Sequence, residues 1–380
     1  MRVADDAASG DNPETIQNLL GAFVMHLCQY KVRALSSLVG LILAGGIAMQ
    51  SSAAEFTVDK TADGVTVNLD GKLFTKYEIQ SGKKPILWPI IGPTGKPMTR
   101  PWPMDTAAVD AEKTAKGGKL PKGDILSDDH SWHRSLWFSY QSVNGNNLWE
   151  EHANPPTGST KHKEFVQVSG GPTAKIVTRN DWLDPNGKKL LEDERTITCM
   201  TDGDNRIIDF DITLKATEGD VVFGDEKDGV FGLRVPDTMR VDAKQGGSFV
   251  NNEGKVGEDE NPDDFPKGAT GDPKCKRAVW GNRASWVDYH GPVEGEKLGI
   301  AILEHPTSFG YPTRWHTRDY GLFAANVFGQ HVFDEMLPKA STTLKAGDTM
   351  KFYFRVIFHK GDEKEGHIAE AFAKYAAEKP

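Results

Sequence analysis

From residue 55 onward, apolar and polar side chains alternate with a period of two, and Asp-Gly and Asn-Gly pairs interrupt the alternation at short intervals. Such a pattern predicts short strands with one buried face, joined by tight turns. Asp63-Gly64 and Asp70-Gly71 separate strands near Phe56, over Val65 to Leu69 and over Leu73 to Ile79. Ile176 to Trp182, Lys189 to Met200 and Arg206 to Lys215 form a meander around the turns Asp184-Pro185-Asn186-Gly187 and Asp202-Gly203-Asp204. In its last strand Ile208, Phe210, Ile212 and Leu214 share one face, while Asp209, Asp211 and Lys215 share the other. Further strands are expected at Leu298 to Glu304, Tyr320 to Phe328 and Met350 to Phe358, the last with Met350, Phe352, Phe354, Val356 and Phe358 on one face.

Helical spacing is convincing only over Glu365 to Ala377, where Ile368, Phe372 and Tyr375 recur on one side. With so few helices to cover parallel strands, the economical architecture is all-β: a large antiparallel β-sandwich with a short C-terminal helix packed on a sheet edge. Residues 55–380 are expected to form a single domain, because no repeat and no linker divides them. The Gly-, Asp- and Asn-rich stretch from Ala243 to Lys274 reads as a long surface loop.

The first 54 residues break this pattern. Lys31 and Arg33 precede an uncharged run from Ala34 to Met49, and Ser52-Ala53-Ala54 supplies small residues before Glu55. This is the layout of an N-terminal extension and signal peptide cleaved ahead of Glu55, and the apolar run is shorter than the roughly 20 residues a membrane span needs. Acidic residues upstream of the basic pair suggest Met25 as the initiator. The protein is therefore expected to be periplasmic or secreted, with no stable membrane insertion once the signal is removed. A net charge of -9 argues against a nucleic-acid partner. An oxidising compartment would permit a disulfide between Cys199 and Cys275.

Candidate chemistry concentrates in two clusters. Asp128-Asp129-His130-Ser131-Trp132-His133-Arg134 leads into Leu136-Trp137-Phe138, and Arg314-Trp315-His316-Thr317-Arg318-Asp319-Tyr320 repeats the mixture of His, Arg, acid and aromatics. In an extended strand, residues three apart point to opposite faces, so His130 and His133 share a site only if the backbone turns there, as Asp128-Asp129 permits. An imidazole whose tautomer is fixed by a carboxylate exchanges protons near neutral pH, which makes His130, His133, His316 and, more weakly, Glu150 the catalytic candidates. The same three histidines are the candidate ligands if a metal ion is bound, although no cofactor is required by the sequence. Trp88, Trp102, Trp132, Trp137, Trp149 and Trp315 lie near turns or charges where an indole can stack on a sugar; about half are expected to be core instead. No phosphate loop, dinucleotide fingerprint, Cys-x-x-Cys or nucleophile elbow is present in the sequence.

Lys84-Pro85 to Pro89, Pro93-Thr94-Gly95-Lys96-Pro97-Met98-Thr99-Arg100, Asp129 to Phe138, Val143-Asn144-Gly145 and the run from Tyr311 to Gly329 together resemble a bacterial family labelled methane oxygenase PmoA, over roughly residues 73 to 360. The label does not describe a chain with one cleaved leader and a β-rich body, since a membrane methane monooxygenase subunit needs several spans. What the resemblance implies is an exported protein with a galactose-mutarotase-like sandwich.

The leading expectation is a carbohydrate-active protein acting on a modified sugar or glycoside by His-based isomerisation, elimination or hydrolysis. Its ligand would be a small molecule or oligosaccharide, with Arg134, Trp137, Asn144, Trp315, Arg318 and Asn326 as binding residues. The alternatives are a non-catalytic glycan-binding module and a metal-dependent oxygenase or hydrolase.

Overall fold

A computed structural model describes residues 54–120, 124–257 and 278–380. The leader ahead of Ala54, Cys275 with its expected disulfide, and the most acidic part of the expected loop lie outside the described residues.

The described chain folds into two large antiparallel sheets packed face to face. The first has eight strands in the spatial order Phe56–Thr61, Gly64–Leu69, Lys72–Ser81, Lys84–Ile90, Leu136–Tyr140, Gly229–Arg234, Leu322–Asn326 and Arg314–Thr317. The second has nine: Val256–Gly257, Ser248–Asn251, Trp286–Val293, Glu296–Glu304, Thr349–Lys360, Asn205–Lys215, Lys189–Asp202, Ala174–Leu183 and Ser159–Ser169. A two-stranded ribbon, Val221–Phe223 with Thr342–Leu344, stands apart.

Period-two alternation places one face of each strand in the shared core. Phe231 of the first sheet lies 4.6 Å from Phe354 and 5.2 Å from Phe210 of the second, and Phe138 meets Phe352 and Trp182 across the same gap. Burying each such ring contributes about 1.5–3 kcal/mol, so the inner faces dominate stability. Met350, Phe352, Phe354, Val356 and Phe358 are all buried there, as are Ile208, Phe210, Ile212 and Leu214. Cys199 belongs to the same core.

Five local differences separate the structure from the sequence expectations. The C-terminal helix begins at Ile368, because the carboxylate of Asp362 accepts the backbone N–H groups of Lys364 and Glu365 and closes a turn first. It also lies on a sheet face, where Ile368 and Tyr375 pack with Trp286, Leu303 and Ile357, and not on an edge. The strand expected from Tyr320 starts at Leu322, since Gly321 at φ 93° turns the chain back and Arg318 and Leu322 bond across it. The stretch expected as a loop carries the paired strands Ser248–Asn251 and Val256–Gly257. A second helix, Ala107–Ala115, buries only Val109 and so leaves no apolar stripe to read. Among the described residues, no helix is long and apolar enough to cross a membrane.

Candidate active site

The outward face of the eight-stranded sheet carries its own apolar cluster. Strand register aligns Ile86, Trp137, Gly232, Ala324 and His316 in one row across five strands. Neighbouring strands are about 4.8 Å apart, so this row spans roughly 19 Å. Its two small members make room: a Cβ on Gly232 would lie 2.6 Å from the Trp137 ring and 2.8 Å from that of Trp149. Both indoles are fully buried and form the floor, with Ile86, Leu322 and Ala324 beside them. Trp88, Met104, Trp132 and Tyr320 are only partly buried and form the rim.

The segment before Leu136 is a turn, not a strand. His130 has φ 45° and Ser135 φ 54°, and the backbone N–H of His133 bonds to the carbonyl of His130. This reversal puts the two imidazoles together, stacked 4.9 Å apart, with the Tyr320 ring parallel to both at 5.1 Å from His130 and 6.5 Å from His133.

The two histidines have different environments. His130 is half-exposed, and its Nδ1 lies 3.0 Å from a carboxylate oxygen of Asp129. The approach lacks hydrogen-bond alignment, so Asp129 lies beside the imidazole as a counter-charge without fixing its tautomer. His133 is buried, with the Trp149 Nε1–H donating to Nε2 at 3.3 Å and an Arg234 guanidinium nitrogen 3.4 Å from Nδ1. A neutral imidazole has one acceptor nitrogen, so it accepts from one of these donors, and a second proton would be pointed at a donor as well. Burial first, then the charge of Arg234, holds its pKa well below the usual imidazole value. His133 thus braces the indoles and is not placed to carry a proton.

Beneath His130, Asp129 joins two guanidinium groups that are fully enclosed. One of its oxygens accepts from Arg100 at 2.7 Å and from Arg234 at 2.8 Å. Burial pushes this carboxyl up, but His130, Arg234 and Arg100 outweigh it and hold it well below the ordinary carboxylate range. Tyr320 lies over Arg234 and Arg318, at 4.8 and 4.9 Å from its ring centre, which fixes its plane at the rim. Burial raises its hydroxyl to about 12, so it stays a donor at neutral pH.

At the far end of the row His316 is fully buried, and its Nδ1 approaches Asp228 at 3.4 Å. Burial, reinforced by Lys227 and Arg318, lowers the His316 pKa well below its usual value. Burial raises that of Asp228, with Lys227 only partly offsetting it. Both shifts run toward the uncharged forms, while Lys227 pairs with the same Asp228 carboxylate at 3.1 Å. Register puts Trp137 and His316 on one face of the sheet and His133 stacks on Trp137 at 5.4 Å, so the two sequence clusters border the same face.

The other expected residues divide. Glu150 accepts from Asn147 at 2.7 Å and meets His152, whose ring packs edge-on against Trp132, at the border of the basin. Arg134 is bound to Glu151, which also holds the buried Lys84 at 2.8 Å, so Arg134 is committed to a structural network. Trp315 faces the interior, where its N–H donates to the Ala284 carbonyl, and does not line this face. Asn144 is exposed in a turn and anchors the two-stranded ribbon through Val222. Asn326 is fully satisfied: it donates to the Glu226 and Lys227 carbonyls and accepts from the N–H groups of Phe328 and Gly329, which positions the loop that carries Asp228. Trp137, Trp149 and Trp315 are core while Trp88, Trp102 and Trp132 are partly exposed, an even division of the six indoles.

Residues 64–373 match the model of a family described as a family of unknown function, DUF6807. The chain belongs to this family. The matched span encloses the motif-bearing stretch on which the resemblance in the sequence rests. No curated protein sequence matches the chain. Among solved structures, the galactosidase domain of an alpha-galactosidase-sucrose kinase is 9% identical with a TM-score of 0.33, over 81% of this chain and 41% of its own. A GH36 alpha-galactosidase from Geobacillus stearothermophilus is 10% identical with a TM-score of 0.32, over 82% of this chain and 41% of its own. This DUF6807 chain therefore spans less than half the length of either. A putative aldose 1-epimerase from Escherichia coli K12 is 9% identical with a TM-score of 0.32, over 80% of this chain and 98% of its own. At that level of overlap these structures assign no role to any residue of the DUF6807 chain.

Arg100, Asp129, Asp228, Arg234 and Tyr320 are the participants that the sequence did not single out as site residues. Asp129 and Arg100 lay inside quoted motifs, but Asp228 and Arg234 had no local signal, since sheet register alone brings them in. A separate cleft of about 380 Å³, lined in part by Lys83, Thr157, Lys161, His162 and Asp184, lies beside the strand ends; it holds none of the residues of the His130 basin. Among the described residues, His130, His133 and His316 do not converge as metal ligands; the group with suitable spacing is Asp288, His290 and Glu363.

Proposed function

We propose that the outer face of the eight-stranded sheet binds a carbohydrate and performs acid/base chemistry on it, in a protein exported from the cell. One observation carries the reading: a rim of partly exposed aromatic rings surrounds an imidazole set beside a carboxylate, with a second, buried Asp–His pair on the same face. Trp88 and Trp132 offer ring faces to the apolar side of a sugar, and Tyr320, covered by His130 and the two guanidinium groups, frames the rim. His130 is the base, and Asp228, whose pKa burial raises, is the acid. Such a pair suits proton transfer in isomerisation, elimination or hydrolysis of a sugar derivative.

A second reading, glycan binding without chemistry, is favoured by the burial of His133 and His316, which leaves His130 as the accessible imidazole. Proton NMR of the purified full-length protein with a panel of monosaccharides, uronates and glycosides distinguishes the two. Turnover that falls by about a hundredfold or more in both His130→Ala and Asp228→Asn supports the enzyme. Binding without turnover, lost in Trp132→Ala and retained in His130→Ala, supports the module. A protein that neither binds nor converts any member of the panel refutes both.

A further inference from the structure

The outer face of the nine-stranded sheet carries a second cluster of ionisable groups, unrelated to the basin. On the strand Trp286–Val293, Asp288 and His290 are two apart and so point the same way, away from the core. Asp288 is fully buried and both of its oxygens are engaged: Oδ1 lies 2.7 Å from His290 Nδ1 and Oδ2 lies 2.6 Å from His359 Nε2. Glu363 enters from the turn ahead of the C-terminal helix, and its Oε2 is 3.9 Å from the same His290 Nδ1. Two carboxylates thus converge on one imidazole nitrogen. A single proton on that nitrogen satisfies one of them at most; a divalent cation in its place satisfies both.

We propose that Asp288, His290 and Glu363 form a binding site for a divalent transition-metal ion of the zinc type. One ligand atom from each residue lies within 4.8 Å of the others, and donor atoms around such an ion at about 2.0–2.2 Å are roughly 3.3–3.6 Å apart, so only small side-chain shifts are needed. One imidazole nitrogen with two carboxylate oxygens suits zinc-like ions better than Ca²⁺ or Mg²⁺, which take oxygen alone. His359 supports the set from behind by bonding to the oxygen of Asp288 that faces away from His290. Its ring has a fixed berth, because a Cβ on Gly299 or on Gly366 would lie 2.1 Å or 2.4 Å from it. His290 and Glu363 are partly open to solvent, so water can complete the coordination. The ion would tie the turn at 361–367, and the helix after it, to the sheet.

The test uses the full-length protein stripped with EDTA and titrated calorimetrically with zinc chloride. The expected result is one Zn²⁺ per chain and a Tm raised by about 5 °C at a hundredfold excess over Kd. Both effects are expected to vanish in Glu363→Gln and in His290→Ala. Glu363→Gln keeps the shape of a side chain near the surface, so its metal-free Tm is expected to match the wild type, which separates loss of the site from loss of the fold. Absence of stoichiometric zinc binding, or binding unchanged in either variant, overturns the proposal.

Discussion

Replacing Asp129 with Asn tests whether the site rests on its paired arginines. Asp129 is the partner of two guanidinium groups whose side chains are completely enclosed, at 2.7 and 2.8 Å through a single oxygen. Removing one partner of a buried ion pair costs about 3–5 kcal/mol, because the remaining charge keeps its desolvation penalty. Two considerations reduce that figure here: the Asp129 side chain is 39% exposed, so water screens part of the interaction, and Asn retains a neutral acceptor in the same position. The expected loss is about 2 kcal/mol at pH 7, read from urea unfolding of wild type and Asp129→Asn. The pH dependence gives an independent check. The folded-state pKa of Asp129 lies below its unfolded value, so its stabilisation is present above about pH 4 and is lost only as pH falls below that. The gap between wild type and Asp129→Asn is therefore expected to be constant from pH 5 to pH 8 and to narrow steadily below about pH 4, closing only as pH falls through the folded-state pKa. Equal stability at pH 7, or a gap that does not narrow in acid, refutes the assignment of this carboxylate as the counter-charge of Arg100 and Arg234.

Three other outcomes follow from the same geometry. Glu304 is buried with its carboxyl raised to about 8, and burial is the cause, offset only in part by the Thr313 N–H; its stability contribution is complete below about pH 4.5 and falls away as pH rises toward 8. Glu304→Gln is thus expected to match wild type at pH 5 and to exceed it at pH 9 by up to about 4 kcal/mol, measured by denaturant midpoints. Gly232→Ala drives a methyl into two enclosed indoles and is expected to lower stability by about 1–3 kcal/mol and to alter the near-ultraviolet circular dichroism of Trp137 and Trp149. Trp132→Ala removes a rim ring and is expected to weaken binding of any glycan ligand about tenfold, by calorimetry, with unfolding little changed.

Much of the fold was legible because single-sided burial writes itself into the sequence as alternation. Ile208 to Leu214 and Met350 to Phe354 are plain examples, each with a buried file and a half-exposed or exposed one. The strand Gly229–Arg234 was illegible for the opposite reason. Every one of its six residues is buried, since its inner face meets Phe354 and its outer face meets the two indoles. A strand covered on both sides loses its alternation, and two glycines remove what propensity signal was left. The central strand of the candidate site is therefore the one that pattern reading is least able to find.

That same strand explains why the site was only half visible. His130 and His316 stand in dense local clusters, so composition alone drew attention to them. Their meaning depends on what lies between, and Gly229–Arg234 supplies it: Asp228 immediately before it meets His316, and Arg234 at its end meets Asp129. Register does the rest, since Gly232 pairs with Trp137 on one side and Ala324 on the other, and Ala324 pairs with His316. A slip of one residue would turn Arg234 into the core and break both links at once. The functional proposal and the stability of the central strand are in this way the same claim, and a variant that shifts the register of Gly229–Arg234 must lose the arginine pair, the aromatic floor and the Asp–His pair together.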